Sequence, residues 1–353
     1  MRARRAPLSI LAIALASAFI ARAPEAHATP GDSAIGVDVS LSPATDRNAR
    51  IARPESPAPG APVPEKLAQP VAFDRWRGVS FGSYLAPKSD FVAKDGGVDV
   101  VFHFHAGQMA ERQMKESGMN AVFVSCGFGL GSGAYADAFA SPHRFGRMLD
   151  ELVKNLETVA GAKKGSLHVR HLALASWSAG FAAVGKILGV ERYYAMTDSV
   201  ILNDSLHSQY KDPNAPGGRT ASQGADRVDL KMLRSFIRFA RDAVAGQKTM
   251  AITHSSIIPP DYASSAEATQ ALLTAIEVPS TTGPTVPAAP TWRSMTLVKS
   301  ADAGNLHVRG FRGAGPRDHF EHLYLIGEVL RSWVVPRWKR EDRLVYTLAG
   351  EQL

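Results

Sequence analysis

From residue 73 onward, short apolar runs alternate with segments whose apolar residues recur at helical spacing. The apolar runs have the length of buried strands, and the segments between them are long enough for helices. The predicted strands are residues 98–104, 121–125, 169–175, 199–202, 249–253 and 306–311, and the predicted helices are residues 108–117, 143–159, 180–188, 230–245, 266–276 and 320–334. This alternation predicts an α/β fold, a mostly parallel central sheet with helices on both faces.

Three further segments refine this prediction. Residues 79–84 are expected to supply an antiparallel edge of the sheet. Residues 211–227 and 279–290 are rich in turn-forming residues, which predicts two surface loops. Because neither loop is long enough to form a separate domain, we expect no large cap domain above the sheet.

The first 28 residues have a different character from the rest of the chain. Arginines at positions 2, 4 and 5 precede an uncharged run at residues 8–21, and residues 26–28 read Ala-His-Ala. This layout predicts a secretory signal peptide, and hence export to the periplasm or the cell exterior. The alternative is a membrane anchor, but the run of 14 residues is shorter than the ~20 needed to span a bilayer. We therefore expect no stable membrane insertion after cleavage.

The following residues, 29–72, are rich in Pro, Ala, Ser and Gly and poor in large apolar residues. Such a composition cannot bury enough surface to order itself, so a flexible linker is predicted. Residues 73–353 then form the folded domain. The hydrophobic fraction of 45% over the whole chain is ordinary for a globular protein with a sizeable core.

Charge and cysteine content exclude several classes of protein. The net charge of +7 falls to +4 without residues 1–28, and no basic cluster with interleaved aromatic residues is present, so nucleic-acid binding is not expected. The single cysteine, Cys126, cannot form an intrachain disulfide and is expected to be a buried packing thiol. No Cys/His spacing indicates a metal site.

The turn after the third predicted strand carries the strongest chemical signal. Residues 176–180 read Ser-Trp-Ser-Ala-Gly and join the strand at 169–175 directly to a helix. A serine on such a sharp turn, here Ser178, is held in a strained backbone conformation that exposes its hydroxyl above the sheet. The positions two before and two after it must be small, which Gly180 and Ser176 satisfy.

This turn resembles the G-x-S-x-G nucleophile elbow of the α/β-hydrolase family, with Ser176 in place of the first glycine. The resemblance implies an α/β-hydrolase fold over about residues 73–340, with Ser178 as nucleophile. It also implies an oxyanion hole, for which residues 105–107, His-Ala-Gly, resemble the family's His-Gly-x loop. The implied donors are the N–H groups of Ala179 and Gly107, with Ala106 as the alternative to Gly107.

The resemblance also implies a catalytic histidine after the last strand. His319 follows the glycine-rich turn at residues 313–316 and is expected to open the final helix. His322, one helical turn further on, is the alternative, although a histidine within a helix is more often structural.

The acid that orients this histidine has two candidates. Asp204 follows the strand at 199–202, at the sheet edge where catalytic groups gather, and is preferred. Asp261 is the alternative, because most family members supply the acid after the next strand. Asp318 is disfavoured, since a residue adjacent to His319 seldom has the geometry to hold its ring.

Together, these features predict an exported serine hydrolase that cleaves a carboxylic ester or another small acyl substrate without a metal or organic cofactor. A serine peptidase or amidase on the same fold is one alternative, and a non-catalytic secreted binding protein is another. Residues 129–134 also fit the G-x-G-x-x-A pattern of a dinucleotide loop. We favour instead a loop over the active-site cleft, with Tyr135 and Phe139 near the substrate.

Overall fold

The computed structural model describes residues 71–212, 222–283, 292, 293 and 295–350. The predicted signal peptide and residues 29–70 of the predicted linker lie outside these ranges, as do parts of both predicted loops. Ten strands of the described chain form one sheet: β1 (Arg77–Val79), β2 (Gly82–Leu85), β3 (Gly97–Phe104), β4 (Val122–Cys126), β5 (His168–Trp177), β6 (Ser199–Asn203), β7 (Thr249–His254), β8 (Thr281–Thr282), β9 (Leu297–Ala303) and β10 (Leu306–Phe311).

The strand order across the sheet is β1-β2-β4-β3-β5-β6-β7-β10-β9-β8. The six central strands, from β4 to β10, are parallel to one another. Antiparallel strands flank them on each side, β2 and β1 beyond β4, and β9 and β8 beyond β10. The expected antiparallel edge at residues 79–84 is therefore a hairpin, with β1 as its outer strand.

Helices cover both faces of this sheet. They are α1 (Glu111–Glu116), α2 (Ser132–Ala138), α3 (Arg144–Ala160), α4 (Phe181–Leu188), α5 (Glu191–Met196), α6 (Arg234–Val244), α7 (Ser265–Ala275), α8 (Pro316–Tyr324), α9 (Ile326–Val329) and α10 (Val335–Gly350), with a π-helical turn at Leu330–Val334. In the described chain between β6 and β7, α6 and a 3₁₀ turn are the helical elements.

Alternation along the strands divides the core between the two faces. Phe102 and Leu174 pack with α2 to α7 on one face, whereas Val101 and Ala173 pack on the other against α1 and the helices that follow β10. Because successive side chains of a strand point to opposite faces, the strands β3 to β7 each contribute to both clusters. The α/β class and the mostly parallel sheet predicted from the sequence are confirmed.

The prediction was wrong at the C-terminal end of the domain. The expected last helix, residues 320–334, begins earlier at Pro316 and continues through α9 and the π turn into α10. Proline is favoured in the first turn of a helix, where its missing N–H has no partner to lose. His319 therefore lies inside the first turn of α8 and does not open it.

Short elements were also missed. The glycine-rich segment after β4 leads into α2, and α5 and β9 were not anticipated. Elements of six or seven residues carry too few periods for the apolar pattern to identify them. Within the described residues, no helix combines the length and the apolar character needed to cross a membrane.

Candidate active site

Ser178 stands where β5 turns into α4. A single 3₁₀ turn, Ser178–Gly180, joins the strand to the helix. Ser178 has a φ of 52°, in the left-handed region that residues with a side chain rarely adopt. It is partly exposed, while Trp177 and Ala179 on either side are buried. The backbone therefore presents the Ser178 hydroxyl at the carboxyl edge of the sheet, as the sequence predicted.

Glycine is required at the end of this turn. A Cβ atom added to Gly180 would lie 2.3 Å from the carbonyl oxygen of Phe104, the last residue of β3. Such a contact is far inside van der Waals distance and involves backbone on the other side. The start of α4 thus crosses directly over the end of β3, which brings the Ser178 turn beside the loop that follows β3.

Ser176, which replaces the usual glycine of the elbow, is completely buried and has a polar partner. Its hydroxyl is 2.8 Å from the hydroxyl of Ser205. The hydroxyl of Ser205 in turn contacts the carbonyl oxygen of Ser178 at 2.8 Å, as donor. The departure from the glycine pattern therefore adds a serine pair that ties the strained turn to the segment after β6.

His319 and Asp204 form a direct pair. Nδ1 of His319 lies 2.7 Å from Oδ2 of Asp204. The Asp204 side chain is 3% exposed and the His319 side chain 23% exposed. The second carboxylate oxygen, Oδ1, accepts the N–H of Ser255 at 2.9 Å and the hydroxyl of Ser265. Both oxygens of the buried carboxylate are therefore satisfied, and its position is fixed from β6, β7 and α7.

This environment keeps Asp204 ionised. Burial alone would raise the pKa of Asp204, but the neighbouring His322, the hydrogen bond to His319 and the N–H of Ser255 hold that pKa well below its usual range. A carboxylate of this kind orients an imidazole through one ring nitrogen and stabilises its charged form.

Trp177 brings His319 to the serine turn. Its indole N–H donates to the carbonyl oxygen of His319 at 2.8 Å, and the two ring centroids are 4.5 Å apart. Among the described contacts, the Ser178 hydroxyl makes no hydrogen bond to His319. Catalytic hydrogen bonds in unliganded enzymes are often long and tighten only with substrate present.

The loop after β3 has an unusual backbone. His105 and Ala106 are both left-handed, with φ values of 74° and 56°. A Cβ atom at Gly107 would lie 2.9 Å from the hydroxyl of Ser125. Consecutive strained residues of this kind concentrate at functional sites.

The N–H groups of Ala106, Gly107 and Ala179 have no hydrogen-bond acceptor in the described part of the chain. Two of them, those of Gly107 and Ala179, lie in the first turns of short 3₁₀ helices, where the N–H groups have no intrahelical partner. All three candidate oxyanion donors are therefore unpaired, at neighbouring positions of the sheet edge.

Two histidines support this loop as neutral groups. Burial and the nearby His319 lower the pKa of His105 to about 4, and its Nδ1 lies 2.8 Å from the hydroxyl of Tyr135. Burial and the nearby His105 lower the pKa of His103 to about 3, and both of its ring nitrogens are buried without a hydrogen-bond partner. His103 packs beneath Gly107, as expected of a residue with only a packing role.

None of the alternative candidates takes part in the histidine–aspartate pair. His322 is fully buried, its Nδ1 lies 2.9 Å from the hydroxyl of Thr253, and burial is the main cause that lowers its pKa to about 4. Asp261 is exposed and has no hydrogen bond or ion pair with either histidine. Asp318 accepts the N–H of Gly315 and so caps α8. The structure therefore joins Asp204, not its rivals, to His319.

Some contacts of this site could not be predicted from the sequence. Ser265 lies 61 residues from Asp204 along the chain, and no local pattern marks it. Tyr135 and Phe139 were predicted near the substrate but are buried in the core, where Tyr135 bonds His105 and Phe139 packs on Phe104. The glycine-rich segment leads into α2, which turns both side chains inward, so their nearness to a substrate stays a prediction.

A second histidine–carboxylate group lies at the opposite, amino-terminal edge of the sheet. His171, Asp198 and Glu341 place donor atoms within 4.8 Å of one another. His171 Nδ1 is 3.7 Å from each of the two carboxylates. The indole ring of Trp338 stacks on His171 with a centroid distance of 5.0 Å. Within the described chain, none of the left-handed residues is a sequence neighbour of these three.

No protein-family model matches the chain, and a search of curated proteins finds no relative. Any functional assignment therefore depends on the geometry of the site.

Proposed function

We propose that this protein is a serine hydrolase of the α/β-hydrolase type that cleaves carboxylic esters through an acyl-enzyme. The observation that carries the proposal is the left-handed Ser178 on a strand-to-helix turn, next to a histidine paired with a buried aspartate. Acyl transfer needs an activated nucleophile, a base oriented by an acid and donors for the oxyanion. Ser178, the 2.7 Å bond between His319 and Asp204 and the unpaired N–H groups are suited to these three roles.

The arrangement of the sheet supports the α/β-hydrolase assignment. The candidate oxyanion loop follows β3, Ser178 follows β5, Asp204 follows β6 and His319 follows β10. The order nucleophile, acid, histidine is that of the family, and so is the oxyanion contribution from the loop after the third strand. The register pairs Trp177 with Asn203, so the serine and the acid leave neighbouring strands at the same level.

The mechanism assigns one role to each group. Nε2 of His319 accepts the proton of Ser178 as its oxygen attacks the ester carbonyl, and Asp204 stabilises the imidazolium that results. The N–H groups of Ala179 and Gly107 hold the oxyanion. The C–O bond to the alcohol then breaks, and the alcohol leaves with the proton from His319. Water attacks the acyl-enzyme by the same route, which releases the acid and frees Ser178.

Esters are preferred over amides because an alkoxide is a better leaving group than the anion of an amine, so ester cleavage demands less of the site. Comparison of p-nitrophenyl esters with aminopeptidase substrates tests this preference. Higher kcat/KM for at least one ester supports it, and turnover of the amides alone would establish the peptidase alternative.

The nucleophile is tested by labelling with a serine-directed fluorophosphonate probe. Wild type and Ser166→Ala, a control in the exposed turn before β5 at the amino-terminal edge of the sheet, are expected to be labelled and active. Ser178→Ala is expected to lose labelling and at least about 10⁴-fold in kcat. Absence of labelling and of turnover in the wild type would favour the non-catalytic alternative, a binding protein on the same fold.

We also propose that the protein is exported after cleavage behind Ala28. Expression of the full chain with fractionation and N-terminal sequencing tests this. A mature chain that begins at Thr29 in the periplasm or medium supports export, and an intact chain in the cytoplasm contradicts it.

A further inference from the structure

We propose that Trp177 is a positioning residue, which holds the catalytic histidine and the oxyanion loop in register with the nucleophile. The inference rests on the function proposed above and concerns how the same site is assembled. Trp177 immediately precedes Ser178 in the chain, so any group fixed to its ring is fixed relative to the nucleophile.

Two contacts join Trp177 to His319. The indole N–H donates to the His319 carbonyl oxygen at 2.8 Å, which ties the first turn of α8 to the end of β5. The indole ring lies against the imidazole, with centroids 4.5 Å apart and planes inclined by 31°. The first contact fixes the backbone of His319, and the second restricts rotation of its ring.

The same indole reaches the oxyanion loop. The ring of His105 stacks on it at 5.2 Å with an interplanar angle of 18°. Phe320 packs against it at 5.0 Å and closes the cluster beside His319. Trp177 is 5% exposed, so it is held in this orientation. The Trp177 side chain therefore links three parts of the site. These are His105, which precedes the oxyanion donors, the turn that carries the nucleophile, and His319.

The charge that develops during catalysis strengthens this contact. His319 becomes an imidazolium when it accepts the Ser178 proton, and a cation within about 6 Å of an indole centroid is attracted by the ring. Trp177 thus favours the charged form of the base that results when the Ser178 proton is transferred. Loss of the ring is expected to lower kcat and to leave KM nearly unchanged.

The molecule offers a matched control. Trp338 is 4% exposed and stacks on His171 at 5.0 Å, but it lies at the amino-terminal edge of the sheet. Substitution of Trp338 removes an equally buried indole from an equally close histidine without touching the site. Any effect of lost packing alone appears in both variants.

The experiment compares Trp177→Leu, Trp177→Phe and Trp338→Leu with the wild type, using steady-state ester hydrolysis. Trp177→Leu is expected to lose about 10²-fold in kcat, the cost of a small misplacement of a catalytic group, with KM changed by less than about threefold. Trp177→Phe keeps an aromatic ring but lacks the N–H, and is expected to recover part of that loss. Trp338→Leu is expected to keep wild-type kcat.

A double substitution with His319 distinguishes loss of positioning from a general loss of structure. In a His319→Ala background, Trp177→Leu is expected to lower the residual rate by less than about tenfold, because the base is gone and only the contact with the oxyanion loop remains to be lost. A wild-type kcat in Trp177→Leu, or a full 10²-fold loss that persists without His319, would overturn the proposal. Failure of the proposed function is recognised separately, as a wild type that the fluorophosphonate does not label.

Discussion

The two ends of the central sheet carry similar residues in different arrangements. At the carboxyl edge, Trp177 lies on His319, which is paired with Asp204. At the amino edge, Trp338 lies on His171, which approaches Asp198. Both groups combine an indole, an imidazole and a carboxylate, so residue types alone do not distinguish them.

Geometry separates the two groups. The contact between His319 and Asp204 is 2.7 Å, a hydrogen bond, whereas His171 and Asp198 are 3.7 Å apart. Ser178 and Asp204 have left-handed backbones, and unpaired N–H groups adjoin them. The amino-edge group has instead a network of ion pairs, in which Arg170 bonds Asp99 and Asp342. Backbone strain and unpaired backbone N–H groups indicate chemistry at the carboxyl edge, while the ion pairs at the amino edge indicate attachment of α10 to the sheet.

The largest expected difference between the edges concerns the carboxylates. Asp204→Asn removes the charge that orients His319 and is expected to lower kcat by about 10⁴-fold. Asp198→Asn removes the corresponding charge at the amino edge and is expected to leave kcat within about twofold of the wild type, because a change far from the chemistry does not alter the transition state. Ester hydrolysis at saturating substrate measures both. Equal losses in the two variants would refute the distinction.

A second comparison concerns glycines. Gly107→Ala introduces a methyl group 2.9 Å from the Ser125 hydroxyl and 3.1 Å from His103, which must displace the oxyanion loop. The loss of one oxyanion donor costs about 10² to 10³ in kcat, and we expect a fall in that range with little change in KM. Gly78→Ala in β1 is the control, since a Cβ there meets nothing within 4 Å. An unchanged kcat in Gly107→Ala would exclude this loop as the donor.

The sequence predicted the elements of the fold that have a long or regular pattern of apolar residues. Strands such as β4 and β6 are short, mostly apolar and fully buried runs, and α3 has a long periodic face, so their places followed from pattern alone. Helix α5 and strand β9 were missed because their residues are selected by tertiary neighbours more than by local periodicity. The C-terminal helices were misjudged because nothing in the apolar pattern marks where α8 gives way to α9.

The candidate site likewise has features that the sequence predicts and features that it does not. Ser178, Asp204 and His319 each follow a predicted strand, and strand ends meet at one edge of a parallel sheet. The pairing of Asp204 with His319 and the use of Ser265 as its partner depend on side-chain contacts over 115 and 61 residues. Such contacts are set by packing of whole elements, which one sequence does not encode in any local pattern.

Serines at the two ends of β6 give a third comparison. Ser205 at the carboxyl end bonds the Ser178 carbonyl and the Ser176 hydroxyl, so Ser205→Ala leaves buried groups unpaired. The expected loss in the free energy of unfolding is about 1 to 3 kcal/mol. Ser199 at the amino end is buried with no partner for its hydroxyl, so Ser199→Ala is expected to be neutral or slightly stabilising. Urea unfolding measures both, and a destabilised Ser199→Ala would contradict the contrast.

The smallest expected effect is a difference in how stability depends on pH. Burial disfavours the charged form of His171, but its contact with Asp198 and the charge of Asp99 outweigh burial and raise its pKa above 6.5. A raised pKa means that the folded protein binds this proton more tightly than the unfolded chain. The resulting stability is fully present below about pH 6.5 and is lost as the pH rises through the raised pKa.

The lowered pKa of Asp204 has the opposite sign, because its stabilisation is present above about pH 4 and is lost as the pH falls through the lowered value. Urea unfolding at about pH 5.5 and about pH 8.5 tests the contribution of His171, since Asp204, with its lowered pKa, keeps its charge at both values. His171→Gln is expected to have a lower free energy of unfolding than the wild type, and this loss is expected to be larger at the lower pH. The difference between the two pH values is about 1 kcal/mol or less, because contacts near 3.7 Å are weak. The exposed His143→Gln is expected to show no such difference. A deficit that grows with pH would mean that His171 is held neutral, and that the amino edge does not attach α10 through charge.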